Sequence, residues 1–313
     1  MLPLSLSSGD VTADRRADYA RMLGEGGDFA AAAELMEQAL ELAPGWAAGW
    51  FQLGEYRLKA GAADKAVEAY RAVRALDPED MFAASLKLAL IGAEAVPEQP
   101  PSRYVEALFD DYADRFETSL VEKLHYQVPQ RLAALIARVA GQGHLFQTAI
   151  DLGCGTGLMG VELAGKVGLL EGYDLSGGML AKAAEKQLYH HLGEADLSLD
   201  AAACGLFDGR ETLRADLVTA ADVLMYLGNL SGVFALTATL LKPGGHFAFS
   251  VEKQAESQGF TLAPSLRYQH SFAYVTATLA QSGFTLLESE EATIRMDGGK
   301  PVLGMLFIAA KSR

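Results

Sequence analysis

One heptapeptide constrains this chain more than any other feature: Asp151-Leu152-Gly153-Cys154-Gly155-Thr156-Gly157. It follows an apolar run at 148–152 and leads into a helical pattern at 158–165. Glycines at this spacing let the backbone turn tightly after a strand and let a ligand approach it closely. The helix that follows offers free N–H groups at its start, a ready seat for an anionic group. Seventeen residues after Gly157 stands Asp174, at the end of the next apolar run, where a carboxylate can accept two hydrogen bonds from ribose hydroxyls.

The surrounding pattern predicts an α/β domain. Strand-like runs at 148–152, 169–174, 189–194, 216–220 and 246–251 alternate with helix-like runs at 158–165, 178–188 and 230–241. Such alternation argues for a parallel sheet with helices on both faces. It breaks after a helix at 273–282, for which Ser271 is a suitable N-cap. Two strand-like runs, 285–294 and 302–309, flank Asp297-Gly298-Gly299 and predict an antiparallel hairpin. Upstream, apolar spacing predicts helices at 104–120 and 129–140.

Gly155-x-Gly157-x-x-Gly160 also matches the dinucleotide fingerprint, and Asp174 would suit NAD. Three features favour S-adenosylmethionine instead. Asp151, two residues before the first glycine, can fix the loop and hold an amino group. Leu241-Lys242-Pro243-Gly244-Gly245 forms a turn feeding the fifth strand, and the closing hairpin is foreign to a simple dinucleotide domain.

Together these residues resemble the class I S-adenosylmethionine-dependent methyltransferases over roughly 104–313. The resemblance implies a Rossmann-like sheet of seven strands, the last antiparallel beside the fifth. It implies that Gly153, Cys154, Gly155 and Gly157 cradle the amino-acid end of the cofactor, with Cys154 as a small filler. It gives Asp174 the ribose, sets Leu175 and Met179 beside the adenine, and lets Asp196 and Leu197 read the adenine edge. The segment from Tyr104 through Phe109, Asp110 and Tyr112 to Phe116 resembles the lead-in helix of small-molecule methyltransferases, making Tyr104, Tyr112 and Phe116 candidates to touch the cofactor. Ala221 and Asp222 follow the fourth strand on the cofactor side. Substrate is expected at the carboxyl ends of strands four and five. Tyr226 is the candidate to face it, and His270 the candidate general base. Glu252 is a weaker site candidate at the end of the fifth strand. The stretch after the fourth strand lacks the Asn/Asp-Pro-Pro-Tyr signature of adenine and amide methylation. No metal-ligand spacing appears.

The N-terminal third carries an internal repeat. Gly27 recurs as Gly61 and Pro44 as Pro78, both 34 residues on, and Ala32 aligns with Ala66. Trp50, Leu53, Gly54, Ala66, Tyr70 and Pro78 resemble the tetratricopeptide repeat. The expected organisation is an all-α tetratricopeptide-like domain at 1–94, a proline-rich linker at 95–101 and a methyltransferase domain at 102–313. The fusion resembles bacterial repeat-containing predicted methyltransferases.

Charge narrows the partners. The net charge is −14, and the first hundred residues already hold sixteen acidic against nine basic residues. This is no nucleic-acid footprint. Two cysteines, no basic apolar leader and no long apolar run favour a cytoplasmic protein off the membrane. The expected function is methyl transfer from S-adenosylmethionine to a small molecule. The alternatives are a protein methyltransferase recruited through the repeats and a non-catalytic cofactor-binding adaptor. The repeats are expected to bind a protein partner or to self-associate.

Overall fold

The computed structural model describes residues 7–113, 126–254 and 259–313. Phe116, a candidate cofactor contact, lies outside the described residues. Two compact units divide the chain: 1–97 with 101–104, and 98–100 with 105–313.

The first unit is helical hairpins: α1 (Val11–Glu25) with α2 (Phe29–Leu42), α3 (Ala47–Lys59) with α4 (Ala63–Leu76), then the short α5 (Ala84–Leu90). The repeat in the sequence appears here as a repeated helix ending. Gly27, Gly61 and Gly92 all adopt positive φ. The residue after each donates its N–H five residues back, Asp28 to Leu23, Ala62 to Arg57 and Ala93 to Leu88. This cap satisfies carbonyls that the helix leaves open. Gly54 is small for a steric reason: a Cβ there would lie 2.6 Å from the Tyr70 ring.

The second unit is built on one mixed sheet. Its strands are β1 (Phe146–Leu152), β2 (Val167–Asp174), β3 (His191–Glu194), β4 (Ala215–Ala220), β5 (Leu241–Lys253), β6 (Phe260–Leu262), β7 (Tyr268–His270), β8 (Phe284–Asp297) and β9 (Lys300–Lys311). The order β3-β2-β1-β4-β5 is parallel throughout. β9 pairs antiparallel with β5 and carries β8 on its other side. That much matches the seven strands expected. Among the described residues the sheet has nine, because β7 pairs with the end of β5 and β6 with β7. At three residues each, these two are too short to show a period of two. The Lys242-Pro243-Gly244-Gly245 stretch is a register shift inside β5 rather than a turn before it.

Alternation along the strands divides the core. Ile150, Leu152, Val218, Phe247 and Phe249 point to one face, under α10 (Ser231–Leu240) and α11 (Phe272–Gln281). Ala149, Leu217 and Ala248 point to the other, under α7 (Val128–Ala140) and α8 (Leu158–Leu163). The carboxyl ends of β1, β2, β4 and β5 are thereby gathered along one edge.

Candidate active site

The glycine loop is held from below and open above. Gly153, Gly155 and Gly157 all adopt positive φ. A Cβ at Gly153 would lie 2.4 Å from Val223 Cγ2, so the segment after β4 packs directly on the loop. The space beside Gly155 is empty to 4 Å, which leaves room for a ligand against the backbone. Cys154 is buried, its N–H donates to the Tyr173 carbonyl, and burial pushes its thiol pKa up.

Asp174 ends β2 and ties the loop to the next one. Its Oδ2 accepts the Gly155 N–H at 2.8 Å and its Oδ1 the Ser176 N–H at 2.9 Å. Each oxygen keeps a second lone pair. Burial raises its pKa, and the backbone N–H groups oppose the rise. Asp151 is 1% exposed, with its Oδ1 taking the Thr219 hydroxyl and its Oδ2 the Tyr189 hydroxyl. Burial pushes its pKa up to about 6. With both oxygens engaged by protein donors, Asp151 fixes the loop in place. Tyr189 also explains the third glycine of the dinucleotide pattern. A Cβ at Gly160 would lie 2.6 Å from the Tyr189 hydroxyl, so that glycine makes room for a tyrosine.

Beyond β2, α9 (Gly177–Glu185) is capped by Ser176, whose Oγ accepts the Met179 N–H. The Ser176 hydroxyl donates to Asp110 Oδ1 at 2.5 Å, and the Gly178 N–H reaches the same oxygen at 3.2 Å. Asp110 sits on α6 (Ser102–Tyr112), so the lead-in helix is pinned to the Asp174 loop. The lead-in motif contains Asp110, but its spacing alone gives that carboxylate no role. Tyr112 is half-buried against the α7–α8 side of the core. Tyr104 groups with the first unit. Leu175 is half-buried beside Asp174, but Met179 is only 1% exposed. Met179 is thus enclosed at the start of α9. Asp196 holds Ser198 through Oδ1 and has no partner for Oδ2 among the described residues. Leu197 is half-buried next to it.

The far side of the edge is built from ion pairs. Asp222 has φ +59°, a conformation that costs a non-glycine residue about 1–3 kcal/mol and persists only where its surroundings impose it. Its N–H donates to Ser250 Oγ, and its carboxylate receives Arg295 Nη1 at 3.0 and 3.1 Å. The preceding Ala221 is half-buried. Arg295, 2% exposed on β8, turns its other nitrogen to Glu252. Glu252 is buried because β9 continues past it, pairing it with Gly304.

Tyr226 lies on a single 3₁₀ turn, Leu224–Tyr226. Its ring meets Phe109 edge-on at 5.1 Å, and its hydroxyl accepts Arg267 Nε at 3.3 Å. His270, the candidate general base, lies on β7, fully buried, stacked on Tyr274, with Nε2 donating to the Gly228 carbonyl. Burial lowers its pKa to about 4. Arg267 and Arg295 are the residues the sequence left unnoticed, since an isolated arginine carries no local signal. Among the described residues no group of three or more His, Cys, Asp and Glu is placed to hold a metal ion. No described helix is long and apolar enough to cross a membrane.

This parallel sheet, with its glycine loop and the carboxylate after β2, is the α/β methyltransferase fold. The family described as Methyltransferase domain matches residues 124–288, over half the chain, and the chain belongs to it. Among curated relatives, the ubiquinone biosynthesis O-methyltransferase of Burkholderia ambifaria (strain MC40-6) is 31% identical over 144 residues. Its counterpart from Burkholderia cenocepacia is 34% identical over 146. In each case 45% of this chain is matched, and the chain spans 60% of the length of the relative. The [4+2]-cyclase SpnF matches in fold with a TM-score of 0.54 at 17% identity, over 69% of this chain and 98% of that one. A putative methyltransferase of Haloferax volcanii, solved with its Trm112 activator, gives 0.52 at 17%, over 66% and 98%.

Proposed function

We propose that this chain transfers the methyl group of S-adenosylmethionine to a small-molecule acceptor. The observation that carries this reading is the open face of Gly155 beside the half-buried Asp174, whose carboxylate has lone pairs to spare. Gly153, Gly155 and Gly157 hold the amino-acid end, Asp174 the ribose, Leu175 one adenine face, and Asp196 with Leu197 the adenine edge. Asp110 positions the lead-in helix over them. When bound, S-adenosylmethionine supplies a methyl on a cationic sulfonium, which leaves by in-line displacement. The chain's part is to hold an acceptor in line and to exclude water. Tyr226, at the carboxyl edge of β4, is the side chain proposed to orient that acceptor. A small-molecule acceptor draws support from the curated relatives, which are named for ubiquinone biosynthesis.

The N-terminal helices are read as a tetratricopeptide-like array at 1–94, supported by the recurring Gly27 and Gly61 caps. Recruitment of a protein substrate through this array is the second reading, supported by Tyr19 and Met22, both exposed on α1. Both cysteines are free and buried, which suits a reducing cytoplasm. Calorimetry with S-adenosylmethionine, S-adenosylhomocysteine and NAD tests the central claim. Saturable binding of the first two and none of NAD supports it, while binding of NAD alone sinks it.

A further inference from the structure

A cavity of about 340 Å³ opens beyond the end of β5, between β7 and the β8–β9 hairpin. Its lining is polar at Lys253, Arg267 and Gln269 and apolar at Pro301 and Leu303, while Val302 between them packs toward the α7–α8 side of the core. The lining carries three cations, Lys253, Arg267 and Arg295, against two carboxylates, Glu252 and Asp297, in a chain of net charge −14. Asp222 and Glu291, which pair with Arg295 and Lys253, offset that surplus, so an anion here must be held by a particular unsaturated cation rather than by the field.

The cations differ in what they have left to give. Arg295 is consumed by Asp222 and Glu252. Lys253 is held by Glu291 at 2.6 Å. Arg267 is not saturated. Its Nε is on the Tyr226 hydroxyl, but Nη1 stands 3.5 Å from Asp297 and 3.9 Å from Glu252, too far for good hydrogen bonds. Asp297 is more than half exposed at the hairpin tip, a weak partner that is easily displaced. A guanidinium in this state presents a fork that matches a carboxylate with two parallel bonds. The same arginine touches Tyr226, so an anion seated on it lies next to the residue proposed to orient the acceptor.

We infer that this cavity is the acceptor subsite and that its ligand is a monocarboxylic acid with an apolar body. The carboxylate sits on Arg267 in place of Asp297, and the apolar body lies on Pro301 and Leu303. One free arginine and an apolar wall suit a single carboxylate better than a phosphate or a polyanion. The word acceptor rests on the proposed methyl transfer, whereas the acid-binding cavity stands without it.

The test is calorimetry on the full chain, with and without S-adenosylhomocysteine, using benzoate and hexanoate against benzamide and hexanamide. Fragments held by one arginine bind near the millimolar range. Both acids are expected to bind saturably and the amides at least tenfold more weakly. Arg267→Met weakens the acids at least tenfold, and Arg267→Lys, which keeps charge but loses the fork, weakens them less. Asp297→Asn, an exposed change that leaves the core untouched, tightens them a few-fold. Equal binding of acids and amides overturns the inference, as does equal binding by wild type and Arg267→Met, or no acid binding at about 20 mM. Binding of S-adenosylhomocysteine without the acids leaves the methyl transfer standing and removes the subsite. Acid binding through Arg267 without S-adenosylhomocysteine does the reverse.

Discussion

The two ends of the carboxyl edge are made of different materials. Around Asp174 the site is backbone: glycines at positive φ, N–H groups on a carboxylate and a capped helix start. Around Asp222 it is side chain: Asp222, Glu252, Arg267 and Arg295, drawn from four separate stretches of sequence. A backbone site binds what every member of a class binds, because its geometry survives exchange of side chains. A site of ion pairs is specific to its own charges and changes when one of them changes.

Breaking the ion-pair end should do the most damage. Arg295→Met leaves two buried carboxylates facing each other, and loss of one partner of such a pair costs about 3–5 kcal/mol. Urea denaturation should show that loss, and an unchanged midpoint would mean that the pairs are solvated.

The next effect sets one group from each end against the other. His270 has its folded pKa depressed to about 4 from 6.5, so its contribution is full above 6.5 and drains as pH falls toward 4. Asp151 has its folded pKa raised to about 6 from 3.8, so its contribution is full below 3.8 and drains as pH rises toward 6. Each is worth about 3 kcal/mol, and between pH 4 and 6 they cancel. Asp151→Asn should unmask His270, making stability fall by up to about 3 kcal/mol on acidification from pH 6.5 to 4. Denaturation at four pH values would reveal it, and an unaltered pH profile would refute the assignment.

The backbone end should respond more gently. Asp174→Ala removes the proposed ribose acceptor and the Gly155 tether. Bonds to a charged group predict a loss of about 2 kcal/mol, some thirtyfold in S-adenosylhomocysteine affinity. Affinity unchanged by calorimetry would remove Asp174 from the site. Asp110→Ala, which frees the lead-in helix, should cost about 1 kcal/mol in the same titration.

The same contrast explains what the sequence disclosed. The Asp151–Gly157 loop and Asp174 were legible because a backbone site needs its residues at fixed spacing along the chain. The strand order was legible because a buried parallel sheet requires apolar runs of regular length. β6 and β7 were not, since three residues give no period, and with them went the true setting of His270. Arg267 and Arg295 were missed because two arginines near the C-terminus look like surface charge until β8 and β9 fold back over β5.

Tyr189 occupies room left by three residues without side chains, Gly157, Gly160 and Gly172, while its hydroxyl secures Asp151. Those four positions are therefore not independent in descent. A methyl group gained at 160 or 172 meets the ring at once, and shrinkage at 189 opens a void and strands the carboxylate. The first step along either route is penalised until the second arrives. Lineages that keep the tyrosine must keep glycine at 160, and those that lose it gain freedom there, while Gly157 stays fixed by its positive φ and Gly172 by Leu192.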